Sequence, residues 1–348
     1  MERLNYWDEF EYSKLKLLLN KEKVNSILSV QKKDKKMDER FPISVELHLT
    51  DLCNLNCQWC TDKELRNNGA TLDVNVIKSL FAEFQANQTG VTLEGGGEPT
   101  IHPCFRDIVS SGTAFGIDMG LISNGTIDIS DVVDQLKWVR VSLDSSTKEE
   151  YIEEKGADCF DTVLENIGKM TKARNCQNTF IGVGYVLTTR NQSSLPELIE
   201  RLDKLGADYI YLRPVEEAEE IAPSLRNLLD LRDMLSKLTA QTRIKYMLPI
   251  SDRIIDKNAG LPCVAHSLTS IIHANGDLAM CEKRRNDNII LGNLYHSSFK
   301  ELWQSEFREQ ITQKLLIPEC QGGCSACRIT GFNMMFDHLE KIHTKHFI

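Results

Sequence analysis

Three closely spaced cysteines, Cys53, Cys57 and Cys60, follow an apolar stretch in the segment VELHLTDLCNLNCQWC and constrain this chain more than any other feature. Thiolates are the usual protein ligands of iron–sulfur clusters. A C-x3-C-x2-C loop can therefore hold three irons of a four-iron cluster and leave the fourth iron open to a small molecule. A structural zinc site would need a fourth ligand nearby, and no cysteine or histidine follows Cys60 before His102. The spacing favours a cluster, while zinc and a thiol-lined core stay open as alternatives.

Two glycine-containing segments follow the cysteines, VTLEGGGEPT at 91–100 and MGLISNGT at 119–126. Glycine allows the backbone to approach a ligand closely and tolerates the dihedral angles of a strand-to-loop bend. A glycine-rich loop alone is weak evidence, because tight turns use the same residues. The order of the cysteine triplet, GGGEP and SNG is a much more specific combination.

With these motifs in this order, the chain resembles radical S-adenosylmethionine (SAM) enzymes. The resemblance implies that a [4Fe-4S] cluster on the three cysteines chelates the methionine part of SAM through its unique iron. It also implies that Gly96, Gly97 and Glu98 line the methionine end, with Glu98 accepting a hydrogen bond from the ammonium group. The backbone at Trp59 would reach the adenine. Reductive cleavage of SAM would then give a 5′-deoxyadenosyl radical that removes a hydrogen atom from a substrate C–H bond.

Apolar strand-like runs alternate with amphipathic helical patterns along the chain, which predicts an α/β fold with parallel strands and right-handed crossovers. The predicted strands are Val45–Leu49, Val91–Glu94, Met119–Ser123, Val139–Leu143, Phe180–Leu187 and Tyr209–Leu212. Six such units match the partial (β/α)6 TIM-type barrel of the family that the chain resembles. In barrels of this type the chemistry gathers at the carboxyl ends of the strands, where all the motifs lie.

The second half contains a further group of cysteines. Cys263 and Cys281 flank a predicted hairpin with an Asn275–Gly276 turn, after which a short strand, a helix and a C-terminal cysteine group follow. This arrangement resembles the small α+β SPASM/Twitch extension of radical SAM enzymes. The full SPASM pattern uses seven cysteines, but only five lie beyond residue 260. The count therefore favours the Twitch form, and the resemblance implies one auxiliary [4Fe-4S] cluster with Cys263, Cys281, Cys324 and Cys327 as ligands.

Alternatives stay open in this region. Cys320 and Cys324 could exchange roles, and a structural zinc ribbon would satisfy the same spacing. If Cys320 is a free thiol beside the substrate, it could return a hydrogen atom to a substrate radical, as an epimerase requires. A buried small hydrophobe is the more common role of a free cysteine.

Four polar residues at predicted strand ends are further candidates for the site. Asn124 and Ser142 could contact the ribose or carboxylate of SAM, or simply make strand-end hydrogen bonds. Arg213 could bind the SAM carboxylate or a substrate acid, or pair with Glu216 or Glu217. Asp144 could accept a proton from a substrate hydroxyl.

Composition limits the partners of the chain. A net charge of −9 argues against nucleic acid, and no apolar run approaches the length of a membrane span. Eleven cysteines without a signal-peptide pattern indicate metal ligands and thiols in the cytoplasm rather than a disulfide framework. The expected electron donor is a low-potential protein such as flavodoxin or ferredoxin.

We expect four regions. These are a charged, helical N-terminal segment (1–43), the core barrel (44–240), the auxiliary-cluster extension (241–335) and a tail (336–348). The basic run at 31–40 is expected to be a solvated linker, or to contact an acidic partner. Because the N-terminal segment is short and charged for a peptide-recognition domain, the sequence favours oxidation or epimerisation of a sugar or aminocyclitol. Modification of a ribosomally made peptide, and a non-catalytic iron–sulfur or zinc carrier, are the alternatives.

Overall fold

A computed structural model describes residues 14–60, 62–64, 69–215, 218, 220–248, 261–281, 289–315 and 329–341. The strands of these residues form one sheet of ten, in the order β10-β9-β8-β1-β2-β3-β4-β5-β6-β7. They are β1 Ser44–Leu47, β2 Gly90–Leu93, β3 Met119–Ser123, β4 Trp138–Ser142, β5 Phe180–Leu187, β6 Tyr209–Pro214, β7 Lys245–Met247, β8 Thr269–Ile272, β9 Asp277–Ala279 and β10 Ile290–Asn293.

Strands β1 to β7 are parallel neighbours in chain order, as crossover connections require. The predicted α/β class and partial barrel are therefore confirmed, and each of the six predicted strands is found within two residues of its expected bounds. A seventh parallel strand, β7, continues the sheet beyond β6. Within the described residues β7 and β10 remain the two edges, so the sheet does not close into a full barrel.

The helices cover the outer face of the sheet or pack on the extension. They are α1 Lys21–Gln31, α2 Val74–Asn87, α3 Phe105–Ala114, α4 Lys148–Lys155, α5 Phe160–Ala173, α6 Leu195–Leu205, α7 Leu225–Thr239, α8 Phe299–Trp303, α9 Glu306–Leu315 and α10 Thr330–Lys341. None of the described helices has the length and apolar character that a membrane crossing would need. In α2, the predicted apolar face Ile77, Leu80, Phe81 and Phe84 is buried in the main core.

The extension joins the barrel through main-chain hydrogen bonds. The predicted hairpin is present as β8 and β9, and Gly276 adopts the positive φ of +87° that its turn needs. Strand β8 pairs in parallel with β1, so the hairpin continues the barrel sheet. The single helix expected after β10 is instead two helices, α8 and α9, with a break at Gln304 and Ser305.

The basic run after α1 differs from the expected solvated linker, because two of its residues are buried. Met37 is buried, and Asp38 is buried in an ion pair with Lys23 of α1. The guanidinium of Arg308, in α9, donates to the carbonyl oxygen of Asp38 and lies 3.7 Å from the ring of Trp303. The run therefore packs against the extension.

Phe299 lies at the junction of these parts. Its ring centroid is 4.9 Å from that of Phe41, before β1, and 5.1 Å from that of Phe84 in α2. It also stacks on Trp303 at 5.5 Å. One buried ring thus joins the N-terminal segment, the barrel helices and the extension.

Replacing Phe299 with alanine is expected to reduce the free energy of unfolding by about 3–5 kcal/mol, because the cavity would remove contacts to all three regions. Phe307→Ala is a matched control, because that ring is 48% exposed and its loss should have little effect. Chemical denaturation of both variants measures the difference. Equal losses of unfolding free energy in the two variants would contradict this role of Phe299.

Candidate active site

The carboxyl ends of the parallel strands surround a cavity of about 240 Å³. This cavity brings together all eleven site residues predicted for the barrel: Cys53, Cys57, Trp59, Cys60, Gly96, Gly97, Glu98, Asn124, Ser142, Asp144 and Arg213. Parallel strands place their carboxyl ends at one side of a sheet, so residues far apart in sequence meet there.

The loop that carries the three cysteines (residues 51–60, the Cys loop) is fixed by backbone hydrogen bonds at both ends. The amide of Asp51 donates to the carbonyl of Ala70 at 2.8 Å. Further along, Asn56 and Gln58 donate to the carbonyls of Lys155 and Glu154, at 3.1 and 2.8 Å. These carbonyls belong to the last residues of α4, where helix carbonyls lack intrahelical partners. The end of α4 therefore holds the backbone on both sides of Cys57.

The segment Gly95–Glu98 (the glycine loop) packs directly on the Cys loop. The amide of Gly97 donates to the carbonyl of Thr50, and the amide of Glu98 to that of Leu52, both at 2.8 Å. A Cβ atom at Gly97 would overlap the carbonyl oxygen of Leu52, and one at Gly96 would overlap the carboxyl of Asp51. Glycine is required here because two backbones lie in contact.

Glu98 is 2% exposed, and its carboxylate accepts four hydrogen bonds from the chain. Oε1 accepts from the amide and the hydroxyl of Thr100 at 3.0 and 2.6 Å, and from the hydroxyl of Ser123 at 2.7 Å. Oε2 accepts from the amide of Asn124 at 2.6 Å. Burial raises the pKa of Glu98, and these four donors oppose that rise. The carboxylate thus joins the glycine loop to the end of β3. Binding of the SAM ammonium by Glu98 stays a prediction.

Asn124 links the end of β3 to the Cys loop. Its side-chain Nδ2 donates to the side-chain Oδ1 of Asn54 at 2.8 Å, and its Oδ1 accepts from the amide and the hydroxyl of Thr126. The side chain of Asn54 donates in turn to the hydroxyl of Thr126 at 2.8 Å. Asn124 therefore makes the strand-end hydrogen bonds that the sequence left as one of two options.

Asp144 has a positive φ of +60°, which is uncommon outside glycine. Its carboxylate forms a buried ion pair with Lys155 and accepts from the amide of Val186 at 2.9 Å. Both carboxyl oxygens are thus engaged by the protein, and the role of Asp144 as a proton acceptor stays a prediction.

Lys155, the last residue of α4, lies close enough to Cys57 to affect its thiol. Burial raises the pKa of Cys57, while the positive charge of Lys155 acts to lower it. Lys155 thus places a fixed positive charge beside an expected cluster ligand, where a thiolate would be stabilised.

Trp59, Ser142 and Arg213 occupy different parts of the cavity wall. Trp59 packs against an apolar cluster of Val186, Val215, Ala218 and Ile221. Arg213, at the end of β6, forms no ion pair with a described residue, and Glu216 and Glu217 lie outside the described residues. The predicted contacts of Trp59, Ser142 and Arg213 with SAM stay predictions.

The residues present fit a [4Fe-4S] cluster with SAM. Three half-buried thiols open onto one cavity, and the glycine loop beside them has no room for side chains on its inner face. Among the described residues, no group of His, Cys, Asp and Glu side chains has the geometry for a single metal ion.

The auxiliary site is described in part. Cys263 is half-buried, with the side-chain amide of Asn333 at 3.6 Å from its sulfur, and Cys281 is buried. Cys320, Cys324 and Cys327 lie outside the described residues. The predicted ligand set and the hydrogen-donor role of Cys320 therefore stay predictions.

Several residues that line the cavity were not predicted from the sequence: Arg140, Glu154, Lys155, Tyr185 and Tyr211. Arg140 could have been found, because it lies two residues before Ser142 on the same strand and so on the same face. Glu154 and Lys155 gave no comparable signal, because they belong to a helix that returns to the Cys loop only in the folded chain.

Comparison with protein-family models gives two matches. Residues 47–202 match the radical SAM superfamily, and residues 263–328 match SPASM, an iron–sulfur cluster-binding domain. Among curated proteins, the mycofactocin maturase MftC of Mycobacterium tuberculosis is 26% identical over 305 residues, which is 82% of this chain and 75% of that protein. A tungsten-containing aldehyde ferredoxin oxidoreductase cofactor-modifying protein of Pyrococcus furiosus is 25% identical, over 79% of this chain and 85% of that protein.

Solved structures show the same fold. Streptococcus suis SuiB bound to S-adenosylmethionine superposes with a TM-score of 0.64 at 15% identity, covering 82% of this chain and 71% of SuiB. Native anSMEcpe with bound AdoMet superposes with a TM-score of 0.61 at 16% identity, over 82% of this chain and 90% of that one.

Replacing Gly97 with alanine is expected to destabilise the protein by about 1–3 kcal/mol, because the new methyl group would push the glycine loop off the Cys loop. Gly184→Ala is the matched control, because a Cβ there would meet its nearest neighbour at an ordinary 3.7 Å. Thermal unfolding measures the stability of both variants, and iron content after anaerobic reconstitution measures whether the Cys loop still binds iron. Normal iron binding and stability in Gly97→Ala would contradict the close contact.

Glu154 should make stability depend on pH. Burial, followed by the charge of Asp144, raises its pKa to about 8. Because the unfolded state loses this proton at lower pH, the stability that Glu154 contributes is full below pH 4.5 and is lost as the pH rises through about 8. The wild type should therefore weaken relative to Glu154→Gln across this range. Chemical denaturation of both proteins at several pH values measures their free energies of unfolding. A difference between them that does not change with pH would contradict this prediction.

Proposed function

Because this chain belongs to the radical SAM superfamily and carries a SPASM iron–sulfur cluster-binding domain, we propose that it is a peptide-modifying enzyme of maturase type. The observation that carries the proposal is the similarity to the mycofactocin maturase over 82% of this chain. The cofactor-modifying protein of Pyrococcus furiosus is a second relative whose name describes modification of another molecule.

The shared fold is compatible with a peptide substrate. SuiB has been solved bound to precursor peptide SuiA, and anSMEcpe with bound AdoMet and the Cp18Cys peptide. These findings favour the peptide alternative over the sugar or aminocyclitol that the sequence favoured. The length of the N-terminal segment was the reason for preferring the sugar, and it is weaker evidence than the relatives.

In this proposal Cys53, Cys57 and Cys60 hold the [4Fe-4S] cluster, and Gly96, Gly97, Trp59, Ser142 and Arg213 surround SAM. When bound, the cluster and SAM supply a carbon-centred radical that removes a hydrogen atom from a C–H bond. The SPASM domain supplies auxiliary iron–sulfur ligands, for which Cys263 and Cys281, with Cys324 and Cys327, are the candidates.

The chain's own residues position and shield this chemistry. Glu98 and Asn124 connect the glycine loop, the end of β3 and the Cys loop, so the cysteines keep a fixed relation to the cavity. Lys155 provides a positive charge near Cys57, and Asp144 holds Lys155 in place. The apolar cluster against Trp59 keeps water from one wall of the cavity. A fixed geometry and exclusion of water are what a reactive radical requires.

Replacing Cys53, Cys57 and Cys60 together with alanine should remove about four irons per chain and abolish 5′-deoxyadenosine formation. Iron analysis after anaerobic reconstitution and chromatography of reduced reactions with SAM measure the two effects. Cys176→Ala is the matched control, because that thiol is exposed and outside the cavity. Cleavage of SAM by the triple variant would contradict the assignment.

The substrate class needs a separate assay. Short peptides encoded beside the gene should undergo a change in mass that depends on SAM and reductant, as seen by mass spectrometry. Turnover of sugars or aminocyclitols without turnover of any such peptide would replace the proposal with the sugar alternative. Iron binding without SAM cleavage would indicate a carrier.

A further inference from the structure

The inner faces of β4, β5 and β6 form a polar surface below the expected SAM site. On β4 the side chains alternate, so that Val139 and Val141 are buried in the core while Trp138, Arg140 and Ser142 face the other way. Arg140 and Ser142 both line the cavity. Two residues of a strand span about 6.6 Å, so Arg140 lies about that much deeper in the barrel than Ser142.

Arg140 is held in place by aromatic rings. Its guanidinium carbon lies 4.7 Å from the ring centroid of Tyr211 on β6 and 5.7 Å from that of Trp138. The side chain reaches Tyr211 by crossing Gly184 of β5, where a Cβ would lie 3.7 Å from the Arg140 Cδ. Stacking of this kind fixes the plane of a guanidinium and leaves its N–H groups available.

Arg140 and Arg213 both line the cavity. Neither forms an ion pair or a side-chain hydrogen bond with a described residue. Other charges that line the cavity are engaged: Asp144 with Lys155, and Glu98 with its four donors.

The remaining acidic groups leave this positive charge in place. Glu154 has a pKa of about 8, so it is largely neutral at pH 7. Glu46, Asp62 and Glu94 also line the cavity, and each takes part in an interaction of its own. The positive charge of Arg140 therefore remains below the expected SAM site.

We propose that Arg140, stacked on Tyr211 at the cavity wall, forms a subsite that binds a carboxylate of the substrate. The planar fork of a guanidinium matches a carboxylate with two parallel hydrogen bonds, which fixes both position and orientation. The inference rests on the proposed function, because a peptide can present such a group either at its C-terminus or on a glutamate or aspartate side chain.

The test follows the Arg140 Nε–H signal of the full chain, labelled with 15N-arginine and assigned by its loss in Arg140→Lys. Three probes are titrated: acetyl-Gly-Gly-Gly with a free carboxylate, its C-terminal amide, and acetyl-Gly-Glu-Gly-amide. The expected result is a shift with the carboxylate probes and none with the Gly-Gly-Gly amide. The larger response of the two carboxylate probes identifies a terminal or a side-chain source.

Calorimetry with variants measures the contribution of the side chain. Arg140→Gln should weaken binding of the responding probe about tenfold or more, Arg140→Lys should weaken it less, and Tyr211→Leu should weaken it more than Tyr211→Phe. Arg201→Gln is the matched control, because that exposed arginine pairs with Glu197 on α6 and should leave binding unchanged. Because Arg140→Lys keeps the positive charge, residual binding by this variant separates the loss of the guanidinium from a loss of folding.

Two outcomes overturn the subsite: no shift with either carboxylate probe, or an equal shift with the amide. SAM cleavage is measured on the same preparation. Cleavage without an Arg140 response defeats the subsite and leaves the proposed function in place. An Arg140 response without SAM cleavage supports the subsite and contradicts the proposed function.

Discussion

The contact between the glycine loop and the Cys loop is the constraint on which the site depends. Hydrogen bonds from Gly97 and Glu98 to Thr50 and Leu52 hold two loops that follow neighbouring strands in van der Waals contact. The carboxylate of Glu98 then continues to the end of β3 through Ser123 and Asn124. Three consecutive strand ends are thereby joined around a single buried carboxylate. A carboxylate is costly to bury without hydrogen-bond donors, so the four hydrogen bonds of Glu98 favour this arrangement of the strand ends over others.

Much of the barrel was predictable because its signals are local. Periodicity located six strands, and the cysteine and glycine motifs follow those strands as expected. What the motifs do was less predictable. Both Glu98 and Asn124 make hydrogen bonds within the chain, which the sequence named as an option only for Asn124, and their contacts with SAM stay predictions. The donors to Glu98 are 2 to 26 residues away, and no sequence pattern specifies which of them meet.

The residues that escaped prediction depend on the path of the chain in space. Lys155 lies beside Cys57 only because α4 ends there, after a capping box at Thr147 and Glu150 and before Gly156 with its φ of +71°. The buried charges that hold the basic run to α9 are a similar case. The hydrophilic character of the run predicted exposure, but the guanidinium of Arg308, 270 residues away, donates to the backbone carbonyl of Asp38, and both residues are buried.

The parallel pairing of β8 with β1 ties together two segments that carry candidate iron–sulfur ligands. The amides of Ile43 and His48 donate to carbonyls of Leu268 and Ile272, so the strand that leads into the Cys loop is bonded along its length to the start of the extension. Cys263 lies five residues before Leu268, and Cys53 five residues after His48. The backbones that carry these two candidate ligands are therefore held together by one pair of strands. A cluster held by either segment would be carried on a backbone that cannot move independently of the other segment.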